Sequence, residues 1–247
     1  MKSFKQLFSI LLTLFVFNNT IEAQTCESFI LFKKGATYEL ETYNDKGKKE
    51  SRMACIVKEV NASSEKVESV IQSTTYNEKD KNSTPQTVNL KTICQGDKLF
   101  FDLTESLKTM QNSDATKDME IIIDGAMIEI PKQLAIGKML PDMATKVKMI
   151  DKKSATEMMA IDITTINRKV VSSEKITTPA GTFDCFKIYQ EQIIAPKMVM
   201  MNMSLPKTTM ISYIYFSTKE IGMVKTEIMD RKGTEVKSYT IVTKYSK

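Results

Sequence analysis

The chain has 247 residues and a formal net charge of +5 from 35 basic and 30 acidic side chains, with no histidine and no tryptophan. Lacking histidine, it has neither a Ser-His-Asp or Cys-His catalytic arrangement nor the usual zinc ligand set. The charges are interspersed and almost all the basic ones are lysine, only Arg52, Arg168 and Arg231 being arginine; this excludes the clustered, arginine-bearing face that reads nucleic acid.

Lys2 and Lys5, the apolar run "LFSILLTLFVF" (7–17) and "NNTIEA" ending at Ala23 follow the order of a secretory signal peptide over residues 1–23. The apolar run is too short to span a bilayer, which takes ~20 residues. Thr25 before Cys26 does not match a lipobox. The mature chain is therefore expected to be a soluble periplasmic or secreted protein, one domain over 24–247, with no transmembrane segment.

Strand patterns follow. "ATYELETY" (36–43) and "RMACIVKEV" (52–60) alternate around the turn "NDKGKK". "KVESVIQSTTY" (66–76) is rich in β-formers, "NEKDKNSTPQ" (77–86) is a polar loop, and "TVNLKTIC" with "KLFFDL" makes a hairpin about "QGD". Thr104 is the expected cap of a short helix reaching residue 111. "MEIIIDGAMIEIP" (119–131) reads as two short strands turning at Asp124-Gly125, a dipeptide suited to a tight primed turn. Long alternating stretches at 145–151, 155–178 and 181–194 lead to a final meander over 209–217, 222–230 and 234–245. Many short strands and at most two short helices predict a mainly β protein, a single curved antiparallel sheet or open β-barrel.

Cys26, Cys55, Cys94 and Cys185 are an even set without a C-x-x-C, so two disulfides are expected in an oxidising compartment. Three pairings are possible. Cys55–Cys94 and Cys26–Cys185 are favoured, the first because both lie on early strands that could pair.

"KMVMMNMSLP" (197–206) places Met198, Met200, Met201 and Met203 within six positions. The cluster holds the M-x-M and M-x-x-M spacings of thioether copper(I) carriers. The parity of a strand flips between Met200 and Met201, Pro196 and Pro206 bracket the segment, and methionine is frequent throughout, so adaptable apolar packing or a ligand or partner surface is the leading reading. Nothing points to a cofactor. Two S-x-x-K matches, Ser63–Lys66 and Ser172–Lys175, lie in polar turns without partner motifs. The acidic residues are scattered, giving no recognisable pair for glycoside chemistry.

"TTPAGTFDCFKIY" (177–189), with "YFSTKEIGMVKTE" (215–227) after it and "KKGATYELETYNDKGKK" (33–49) before, resembles a domain-of-unknown-function family of exported bacterial proteins frequent in Bacteroidetes. The shared pattern is Pro-Ala-Gly-Thr-Phe-x-Cys-Tyr/Phe-Lys-Ile, here Pro179 to Ile188. A Trp-Tyr pair frequent in that family is replaced by "SYIYFSTKEIG". The resemblance implies a β-rich envelope protein and carries over no catalytic residue. The expected function is non-enzymatic binding of a hydrophobic ligand or a partner protein; a copper(I) binder is the alternative and an envelope hydrolase the third reading.

Overall fold

The computed structural model describes residues 26–80, 82–108, 118–125 and 127–247, so the signal-peptide segment lies outside the described residues. Alternating apolar and polar positions produce β1 (Thr37–Asn44), β2 (Lys49–Ala62), β3 (Lys66–Asn77), β4 (Gln86–Gln95) and β5 (Lys98–Asp102). The helical turn α1 (Thr104–Lys108) follows; the Asp102 carboxylate, rather than Thr104, accepts its first N–H, and the expected continuation to residue 111 lies outside the described residues. Then come β6 (Met119–Asp124), β7 (Met127–Pro131), β8 (Met143–Asp151), β9 (Glu157–Thr178), β10 (Gly181–Met198), β11 (Met203–Ser204), β12 (Thr208–Ser217), β13 (Gly222–Met229) and β14 (Val236–Ser246).

All fourteen strands join one antiparallel sheet in the order β6-β8-β9-β10-β12-β13-β14-β1-β2-β3-β4-β5-β7, with β11 paired to β10. The sheet is open, as expected of a curved sheet or open barrel. Its two edges, β6 and β7, are nevertheless joined by only two residues. Three peptide units reach at most ~11 Å, so the sheet has to curl until its edges lie side by side. The expected β6–β7 hairpin is thereby corrected: these strands pair with β8 and β5, not with each other.

Gly125 is the physical reason for the difference. Its φ of +77° is what a turn glycine would show, but here it serves a close approach to β8: a Cβ would lie 2.2 Å from the Ala144 carbonyl oxygen, and Thr145 Oγ1 donates to the Gly125 carbonyl at 3.0 Å. Gly125→Ala is expected to destabilise the fold by about 2–3 kcal/mol, the backbone clash adding to left-handed strain. Urea unfolding checks this, and an unchanged midpoint would contradict the close packing.

The principal core lines one end of the concave face. Leu40 opposes Val242, Val57 opposes Ile71, and Cys94 opposes Leu99, which opposes Ile130; all are buried. Into this end the amino-terminal segment inserts as a plug, with 3-10 turns at Cys26–Ser28 and Ile30–Phe32. Phe29, Ile30, Leu31 and Phe32 are buried, Phe29 lies 6.5 Å from Phe216 between ring centres, and the Ile30 N–H donates to the Glu220 carbonyl at 2.7 Å. Burial of these four side chains contributes roughly 6–12 kcal/mol as an upper bound.

A disulfide between Cys26 and Cys94 pins the plug to β4, with Cα atoms 5.8 Å apart. Both favoured pairings are thus corrected. Cys55 on β2 and Cys94 on β4 are separated by β3, where Cys55 faces Ser73 and Cys94 faces Val67. Cys185 on β10 is a buried free thiol, as is Cys55.

The seam between β7 and β9 is closed by a different device. The connection after β7 runs along β9: Gly137 N–H donates to Val170 C=O at 2.8 Å, Val170 N–H to Lys138 C=O at 3.0 Å, and Leu140 N–H to Arg168 C=O at 2.8 Å. Arg168, fully buried, donates from one guanidinium nitrogen to the Pro141 carbonyl at 2.8 Å and from another to the Glu129 carbonyl of β7 at 3.0 Å. Burial pushes its pKa down, while Glu129 and Asp142 oppose that shift.

Candidate ligand-binding face

The concave side can be followed from the core into the other half of the sheet. Phe216 and Ile188 are fully buried, and stepping by two along β10 and β12 keeps to their face: Ile188 opposes Ile214, Gln190 opposes Ser212, Gln192 opposes Met210, and Ile194 opposes Thr208. The same rows continue across β9, β8 and β6. Pro196 opposes Ile161, which opposes Val147, which opposes Ile123. In the last row Met203 opposes Met198, Met198 opposes Met159, Met159 opposes Met149, and Met149 opposes Ile121. None of these side chains is charged. Val147 and Ile121 are buried, whereas Met149, Met159, Ile161, Ile194, Pro196 and Met198 remain half-exposed.

The other side of the concavity is different in kind. From buried Leu40 and Val242, the same face leads to Thr42 and Thr240, whose hydroxyls are hydrogen-bonded at 2.9 Å, then to Ser238, Ser51, Thr75 and Thr226. The end away from the plug therefore has a Met/Ile wall and a hydroxyl wall, both uncharged.

The predicted methionines divide into two pairs. Met198 and Met203 sit opposite each other on the concave face. Met200 and Met201 occupy the turn between β10 and β11, 64% and 63% exposed. That turn is closed by Asn202 N–H donating to Val199 C=O at 3.0 Å, with Asn202 at φ +47°, and is tied to β9 by Val199 N–H donating to Met158 C=O at 3.0 Å. The parity flip in the sequence marks this turn. Met149 and Met159, which complete the row, stand 39 or more residues before Met198 in the chain, and only the strand register brings them in.

The convex face carries tyrosines, lysines and glutamates in register. Tyr189, Tyr213, Glu227, Tyr239 and Tyr43 form one row, and Lys187, Tyr215 and Lys225 another. Burial and a 2.8 Å hydrogen bond to Glu227 push the Tyr215 hydroxyl far above the ordinary phenol range. Burial pushes the Glu227 carboxyl up, but the hydrogen bonds from Lys225 and Tyr215 prevail and hold it below its usual range. The Glu41 hydrogen bond takes Tyr43 up to about 12, and burial with Glu191 takes Tyr189 up to about 12. Directly opposed on neighbouring strands, these side chains stabilise the sheet from its outer face as cross-strand pairs.

A groove of about 490 Å³ lies mainly on this outer face, between β14, β1, β2 and β3. Glu39 in it is 3.3 Å from Lys244 and 3.7 Å from Arg52, and Arg52 lies 4.1 Å above the Tyr76 ring. Its charges are paired with one another. The two thiols offer no nucleophile: burial raises both, Cys185 to about 12. Among the described residues, no group of three or more His, Cys, Asp or Glu is placed to hold a metal ion.

Comparison with known proteins agrees with this architecture. The sequence profile of the DUF3108-like family matches residues 33–242. A crystal structure of a protein described as a lipoprotein from Parabacteroides distasonis is 25% identical, covers 88% of this chain and 98% of its own, and superposes with a TM-score of 0.65. A protein from Bacteroides fragilis described as exported and as having a YmcC-like fold is 18% identical, with 89% and 99% coverage and a TM-score of 0.61, a likeness of fold alone. No curated protein matches the chain.

Proposed function

The chain belongs to the DUF3108-like family, and on that premise we propose that it is an exported envelope protein that holds the apolar chain of an amphipathic ligand, such as a lipid acyl chain, in the open end of its concave face. The observation that carries this reading is the uncharged Met/Ile wall left half-exposed opposite the plugged end. An apolar concave surface of this kind is what a hydrophobic ligand needs. Methionine adapts to chains of varying shape, and the hydroxyl wall across from it can meet an ester or polyol without burying a charge. Export is supported by the apolar leader-like run, the Cys26–Cys94 disulfide and the exported and lipoprotein descriptions of the two structural relatives. Among the described residues, no helix is long and apolar enough to cross a membrane.

A dansyl-labelled undecanoic acid tests the reading by fluorescence. The protein is expected to bind it with a Kd in roughly the micromolar range. Ile161→Glu, which puts a carboxylate in the middle of the wall, is expected to weaken binding by about tenfold or more. Ile122→Glu, on the opposite face of β6 and 44% exposed, should leave it unchanged. Absence of binding, or equal binding by the Ile161 variant with an intact circular dichroism spectrum, would sink the proposal.

A further inference from the structure

We infer that Met149, Met159, Met198 and Met203 form a thioether site for a soft monovalent cation, Cu(I) or Ag(I), at the outer row of the concave wall. The four residues lie on four neighbouring strands in direct register. Side chains directly opposed on adjacent strands have Cβ atoms ~4.5–5.5 Å apart, and those on the concave side of a curled sheet converge. Unbranched methionine arms can then bring three sulfurs onto one ion. Thioether sulfur is a soft, neutral donor that favours Cu(I) over hard cations.

The distribution of sulfur within the wall separates this reading from ordinary packing. The next row inward, Ile123, Val147, Ile161 and Pro196, contains no methionine, and neither does the row of Thr145, Ile163, Ile194 and Thr208. Further inward Met143 and Met210 also lie on this face, but Thr165 and Gln192 separate them, whereas the outer row places four methionines side by side without a break. There the side chains are reachable: Met203 is 44% exposed and the other three are half-buried. An ion has an entry path, and gap filling does not require sulfur at a surface that is not closely packed.

Calorimetric titration with Ag(I) in chloride-free buffer tests the site, because it needs no reductant and leaves the Cys26–Cys94 bond intact. A Cys55→Ala/Cys185→Ala background removes the two thiols, which would themselves take soft metal. One equivalent is expected to bind. Met159→Leu/Met198→Leu keeps the wall apolar and removes two sulfurs, so Ag(I) affinity should fall by about tenfold or more, while the circular dichroism spectrum and the urea midpoint, which report the fold, stay close to those of the parent chain. Competition for Cu(I) against a chromogenic chelator should show the same loss. Unchanged metal affinity in the leucine variant overturns the site. So does loss of affinity in Met200→Leu/Met201→Leu alone, which would place the ion at the turn. Failure of the fatty acid to bind while Ag(I) binding persists refutes the acyl reading and leaves this one standing.

Discussion

Replacing Arg168 by alanine is expected to destabilise the protein by about 3–5 kcal/mol, enough to lower the thermal midpoint by roughly 10 °C for a chain of this size. The guanidinium is fully buried and donates to two backbone carbonyls, one on β7 and one in the connection that follows it. Truncation leaves both oxygens unpaired at about 1–3 kcal/mol each and opens a void where the long side chain lay. Arg168→Lys keeps the charge, but a single ammonium lacks the planar fork that spans two acceptors, so an intermediate loss is expected. Hydrogen exchange should show the damage localised at the seam, with faster exchange at the Gly137 and Leu140 amides, which bond to β9. A change of less than about 1 kcal/mol in the alanine variant would mean that the seam does not depend on this side chain.

The second large effect concerns the plug. Removing the Cys26–Cys94 bond, whose partners are 68 residues apart, is expected to cost about 4 kcal/mol by chain entropy in the unfolded state. The loss also frees the segment that places Phe29 to Phe32 in the core. A Cys26→Ala/Cys94→Ala variant should therefore unfold at lower denaturant and lose protection at the Ile30 amide, which bonds to Glu220. Non-reducing peptide mapping that found Cys55 or Cys185 cross-linked would contradict the pairing directly.

The elements were more legible in the sequence than their partners. The β4–β5 hairpin was readable because "QGD" gives the chain a local turn, with Gly96 at φ +56°. The final meander was readable for the same reason, and the resemblance around "TTPAGTFDCFKIY" pointed to the right family. Asp124-Gly125 carried the same turn chemistry yet marks a crossing between the sheet's edges, because a positive φ suits close approach to another strand as well as a tight turn. Strand neighbours across the sheet are non-local, so the interposed β3 could not be seen from Cys55 and Cys94. Arg168 gave only a compositional hint, one of three arginines in a lysine-rich chain. The methionine row was half visible: "MVMMNM" showed Met198 and Met203, while Met149 and Met159 lie on two other strands and depended on their register.

The exchange of β6 and β7 between the sheet's edges has a consequence for how the chain reaches this structure. Strands β1 to β5 with β7 pair among themselves, and β8 to β14 with β6 pair among themselves; the one strand pair that joins the two sets is β1 with β14. The Thr42–Thr240 hydrogen bond in that pairing spans 198 residues. Each set can zip by comparatively local steps, but joining them closes a loop of nearly the whole chain, a slow step by contact-order reasoning. Because β6 lies in one set and the next strand in the other, neither set is a contiguous piece of polypeptide. Synthesis therefore leaves the first-made set with the outer edge of β1 open until β14 emerges at the end of the chain, an interval in which that edge is available to aggregate or to be shielded by a chaperone.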